Sequence, residues 1–99
     1  MRLEPNWKFK NLDNLEKTNW AEPPFGSKLV QTIHKLRKVP LNEFEVEDMR
    51  IMIGQNISLK FLIPLAIEQL QIDLFVDGDL FEGDLLQAVL EVDDSFWMD

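Results

Sequence analysis

Cysteine is missing from this 99-residue chain. Its absence excludes a disulfide framework, a thiolate metal site and a cysteine nucleophile, and it fits a reducing compartment. Histidine occurs once, as His34, so a catalytic triad or a histidine metal set lacks its other members. His34 stands beside the apolar face of a predicted helix and reads as a packing residue. With four glycines in all, no glycine-rich loop is present to cradle a phosphate. The longest apolar run, near Leu59–Ile67, is too short for a membrane span and is broken by Lys60. The opening MRLEPNWKFKNLDNLEK has no apolar stretch of the kind a signal peptide carries. The expectation is a soluble, cytoplasmic protein with no cofactor, no metal and no membrane contact.

Basic residues are scarce as well, but only in one part of the chain. Residues 1–40 carry eight Lys/Arg against four acids, a balance of +4. Residues 41–99 carry two, Arg50 and Lys60, against fourteen acids, a balance of −12, and the two parts give the net charge of −8. No basic patch interleaved with aromatics marks a nucleic-acid surface. An acidic half of this kind repels nucleic acid and attracts basic partners. The plainer reading is that the charge serves solubility.

Apolar residues at helical spacing are what the chain has in quantity. Its length allows one small domain with a single core. Hydrophobic content of 45% and charged content of 28% are those of a globular protein. The densest stretch is Glu47–Leu70, EDMRIMIGQNISLKFLIPLAIEQL, which has a helix-turn-helix pattern. Leu59, Leu62, Ile63, Ala66, Ile67 and Leu70 form a helical stripe there, and Phe61 and Leu65 add a second apolar face. Each large side chain buried contributes about 1.5–3 kcal/mol, so this segment is the expected core. Pro64 lies inside it and predicts a kink or a late start.

Ahead of that core, residues 1–26 read as an irregular arm that wraps it, with one short helix at Leu12–Lys17 and a turn at Pro23, Pro24 and Gly26. Ser27 is a good N-cap for a helix to about Arg37, with Leu29, Ile33 and Leu36 as its apolar face. Lys35, Arg37 and Lys38 in its last turn suit the helix dipole, and Pro40 ends it. A further helix is expected at about Val46–Gly54, with Glu47 and Asp48 in its first turn and Gly54 as its stop. Asn56 or Ser58 would cap the next one. After a looser stretch, IDLFVDGDLFEGD, a last helix is expected at about Asp84–Val92 with Leu85, Leu86, Val89 and Leu90. Phe96 and Trp97 then return to the core. The predicted fold is all-α: one compact domain, 1–99, of four to five helices in 27–99, with the arm at 1–26 and an acidic loop before the last helix.

Candidate chemistry is thin. From Asp73 to Asp84 the acids partly imitate a calcium-binding helix-loop-helix, but Phe75 and Phe81 stand at two ligand positions and Asp84 replaces the bidentate Glu. Any acidic protein supplies carboxylate pairs for a small hydrolase, and nothing singles one out. Ser27 and Ser58 look like caps rather than nucleophiles. Arg50 and Gln55 interrupt the apolar stretch and read as a satisfied polar cluster, with Arg50 forking to a carboxylate such as Asp84.

The series TNWAEPPFGSKLVQTIHKLRKVPL, VEDMRIMIGQNISLKFLIPLAIEQL, GDLFEGDLLQAVL and a closing FW resembles immunity proteins of bacterial contact-dependent growth inhibition systems. The likeness covers about Leu12 to Trp97, and Pro40–Leu70 is its most specific part. The family pattern has Thr or Ser where Glu45 stands, Gly at Ser58 and Tyr-Pro at Phe81-Glu82. The first two departures bear on cap geometry and the third on partner contacts.

The resemblance implies a non-catalytic cytosolic protein that binds one-to-one the toxic C-terminal domain of a delivered effector and blocks it. Such toxins are frequently nucleases. A nuclease site is basic, and an acidic inhibitor can occupy it and be captured faster through complementary charge. The expected contact residues are Asp73, Asp77, Asp79, Glu82 and Asp84, with Glu43, Glu45 and Glu47 second and Phe81 as aromatic anchor. Packing of Phe81 on the last helix is the competing reading. The other function classes are an acidic adaptor for another basic protein and the small hydrolase.

Overall fold

A computed structural model describes residues 5–18 and 26–97. It contains α1 (Leu12–Glu16), α2 (Lys28–Leu36), α3 (Val46–Gly54), α4 (Leu59–Ile72), α5 (Asp84–Leu90) and α6 (Asp94–Trp97), with 3-10 turns at Trp7–Phe9 and Leu41–Glu43. No strand occurs among the described residues, so the fold is all-α. The predicted turn at Pro23 and Pro24 lies outside the described residues. The chain divides into two compact units, Met1–Phe44 and Glu45–Asp99, and α2 belongs with the N-terminal residues.

In the first unit, Asn11 caps α1 by accepting the Asn14 N–H at 2.8 Å. Ser27 caps α2 as its sequence predicts, with Oγ accepting the Val30 N–H at 3.2 Å. The two 3-10 turns lie together, and the Leu41 N–H donates to the Lys10 carbonyl at 3.1 Å. Leu12, Ile33, Leu36, Leu41 and Phe44 are buried, whereas Leu29 is largely exposed.

The largest fully buried side chain is a cation. Arg37 is 1% exposed, and its Nε donates to Asp13 Oδ1 at 2.9 Å. Its Nη2 donates to Glu16 Oε1 at 2.6 Å and to Thr18 Oγ1 at 3.0 Å, and Lys38 Nζ closes on Asp13 Oδ2. Arg37 was expected to answer the helix dipole; it neutralises a buried carboxylate instead. Burial raises the Asp13 pKa, but the bonds from Lys38 and Arg37 outweigh it and hold the carboxyl below its usual value.

In the second unit α3 packs against both α4 and α5, and α4 packs against α5. Helix α3 spans Val46–Gly54, the range its sequence predicts. Asp48 Oδ2 accepts the Glu45 N–H at 2.9 Å and so closes its first turn. The stop differs from expectation. Gly54 remains helical, and Asn56 takes the left-handed conformation (φ 57°) while its N–H donates to the Ile53 carbonyl at 2.9 Å. The Ile57 N–H donates to the Met52 carbonyl at 3.0 Å, which completes a Schellman ending. Asparagine tolerates that conformation, so a glycine was not needed.

Ser58 is the N-cap of α4, but it too is left-handed (φ 53°) and makes no side-chain cap bond. Helix α4 buries Phe61, Leu62, Ile63, Leu65, Ala66 and Leu70. It starts at Leu59 despite Pro64, so the expected late start does not occur. Two residues of the predicted stripes lie outside the core: Ile67 is 38% exposed and Leu90 is 72% exposed. Helix α5 buries Leu85 and Val89. Trp97 is about half-exposed and meets Phe96 edge-to-face.

Candidate binding surface

The acids of the second unit fall into two kinds, and backbone geometry separates them. Asp84 opens α5 and is 2% exposed. Its Oδ1 accepts the Gly78 N–H at 2.6 Å, and its Oδ2 accepts those of Leu80 at 3.0 Å and Phe81 at 3.4 Å. The loop is thus wound around a single carboxylate. Burial raises the Asp84 pKa, but these three N–H groups and the nearby Arg50 charge prevail and hold it below its usual value.

Glu47, from α3, fastens the same loop from the other side. Its Oε1 accepts the Asp79 N–H at 2.9 Å and the Arg50 Nε–H at 2.7 Å, and Arg50 Nη2 bonds its Oε2. The Arg50 bond lowers the Glu47 pKa, with help from the Asp79 N–H and the Arg50 charge, against opposition from burial and from Asp84. The fork of Arg50, expected on a carboxylate such as Asp84, closes on Glu47, and Asp84 Oδ2 pairs with it at a longer 3.8 Å from Nε. Gly78 fits because it has no side chain. A Cβ there would lie 2.6 Å from Glu47 Oε1 and 3.3 Å from the Glu47 Cα.

The predicted contact residues therefore separate. Asp73, Asp77, Asp79 and Glu82 are exposed, and Phe81 is 49% exposed. Asp73 ends α4 and its Oδ1 accepts the Phe75 N–H at 3.1 Å. Asp84 and Glu47, expected to face a partner, are the buried and half-buried anchors of the loop. Glu45 is the exposed N-cap of α3. Glu43 is exposed in the first unit, so it is not part of this loop.

Apolar residues that the sequence reading left unassigned share this segment. Ile72, Leu74, Phe75 and Leu80 are each at least half-exposed, Ile72 by 81%. Their signal is visible afterwards: IDLFVDGDLFEGD alternates acids with large apolar residues yet follows a helix that already fills the core. Exposed apolar residues gathered with charge on a held loop suit a protein contact.

A cleft of about 220 Å³ opens beside the loop, lined by Arg50, Ile53, Gly54, Phe81, Asp84 and Glu91 among others. No group of three or more metal-ligating side chains occurs among the described residues, and none of their helices is long and apolar enough to cross a membrane.

A family profile described as CDI immunity proteins matches residues 14–99. Comparison with curated proteins and with solved structures finds no match.

Proposed function

We propose a function from one premise: the chain belongs to the family of CDI immunity proteins. Its partner is a CDI toxin, and it acts on that toxin by binding. The finer reading is that binding is one-to-one, that the toxin is a nuclease with a basic active surface, and that the loop from Asp73 to Glu82 meets it. The observation that carries this reading is a loop with acids and large apolar side chains outward and its backbone N–H groups fastened inward on Asp84 and Glu47. Such a loop pays little ordering entropy on binding. Thirteen acids against two basic residues from Glu45 to Asp99 supply the field that draws in a basic partner. Phe81, half-exposed at the cleft, is the aromatic anchor.

The test is affinity capture with the cognate toxin domain, followed by a nuclease assay on the complex. The expected result is a tight one-to-one complex without activity. Reversal of charge at Asp77, Asp79 and Glu82 together should weaken binding at least about tenfold and leave the melting temperature nearly unchanged. A folded triple variant that binds like the parent would remove this surface from consideration.

A further inference from the structure

We infer that the cleft between α3 and α5 seats one basic side chain of the toxin, best matched by an arginine. The inference rests on the toxin-binding reading above and names what that surface recognises.

Size is the first constraint. At about 220 Å³ the cleft falls below the roughly 300–1,000 Å³ of small-molecule sites, so one large side chain suits it better than a nucleotide or cofactor. Charge is the second. Arg50 is the only cation of the lining, and Glu47 already engages its guanidinium through both oxygens. Asp84 and Glu91 also line the cleft, so its lining sets two carboxylates against one guanidinium that Glu47 already neutralises. Glu91 is exposed at the end of α5, where it can meet an incoming charge without first losing its water. The third constraint is the apolar wall. Ile53 and Leu80 can take an alkyl stem, and the half-exposed Phe81 ring offers a face for a flat cation. A guanidinium both stacks on an aromatic ring and forks to a carboxylate, which an ammonium cannot do.

Gly54 supplies the test. It lines the cleft on the last turn of α3, and a Cβ built there meets nothing within 4 Å. Gly54→Leu should therefore fill the space from a helical position, with a melting temperature no lower than the parent's. Toxin-domain affinity is measured by calorimetry for the parent, Gly54→Leu and Glu91→Lys, and then for each against a panel of toxin Arg→Ala and Lys→Ala variants. Both immunity variants should bind about 30-fold more weakly, or worse. One basic toxin residue should lose as much by truncation against the parent and nothing further against Gly54→Leu.

Parent binding with undiminished affinity in both folded variants overturns the cleft as a seat and leaves the toxin-binding reading intact. Coupling of Gly54→Leu to an apolar or acidic toxin residue overturns the basic occupant. A parent that binds no toxin removes both readings together.

Discussion

Asp13 and Asp84 are each a buried carboxylate, one in either unit, and they are held in different ways. Asp13 lies between the side-chain cations Arg37 and Lys38. Asp84 takes three backbone N–H groups of a single loop, with one cation standing 3.8 Å off. Burial opposes ionisation at both, and both nevertheless keep depressed pKa values. A side-chain pair ties two distant points of sequence together, here 24 residues apart. A carboxylate cradled by N–H groups fixes the path of the main chain itself. The first unit uses its acid to join helices, and the second uses its acid to shape a loop.

The largest effect that should separate the two follows from Arg37→Met. Removal of Arg37 leaves the buried Asp13 with Lys38 as its one remaining cation and strips Glu16 of its partner, at a cost of about 3 kcal/mol, readable by urea denaturation. Asp84→Asn should cost less, about 2–3 kcal/mol, because it turns one acceptor into a donor facing donors. Its signature is local: amide hydrogen exchange should quicken at Gly78, Leu80 and Phe81 while α4 stays protected. Equal exchange throughout would mean that the loop does not depend on its carboxylate.

Acid should act on both anchors in the same direction. Asp13, Asp84 and Glu47 all have folded pKa values below their ordinary ones of 3.8, 3.8 and 4.5. Their contribution is complete above the unfolded values and is lost as pH falls below about 4.5 and through the lower folded values, at about 1.4 kcal/mol per unit of separation. Melting temperature measured from pH 6 downwards should be flat at first and then fall. A rise on acidification would contradict all three assignments.

The smallest effect concerns Ser58. A serine held at φ 53° carries left-handed strain of about 1–2 kcal/mol, and glycine avoids it at an entropic cost of about 0.5–1 kcal/mol. Ser58→Gly should therefore stabilise by no more than about 1 kcal/mol, seen as a melting temperature a few degrees higher.

The elements that could be read from sequence were those set by local rules. Ser27 caps α2 and α3 runs Val46–Gly54, whereas α4 begins at Leu59, ahead of Pro64 and without a cap bond from Ser58. Periodicity found the core, but it could not decide how far round a helix burial extends, and Ile67 and Leu90 show the error. Arg37 falls four residues after buried Ile33 and beside Leu36, on the apolar face, so the helix-dipole expectation misses its burial. Nothing local tells that its partner is Asp13. The acidic loop was recognised as acidic, but the difference between Asp77 or Asp79, which face water, and Asp84, which does not, arises only when the chain folds back on α5. Likewise the Glu47–Asp79 bond spans 32 residues, beyond any spacing rule.

The loop anchor has a consequence for how far this surface can change. Leu80 and Phe81 are held through their N–H groups, which every residue but proline possesses. Their side chains can therefore be exchanged without loosening the loop. Gly78 cannot, since Glu47 occupies the space of its Cβ. Shape is written in the main-chain atoms of these residues, so the outward side chains can be redrafted while the frame stands.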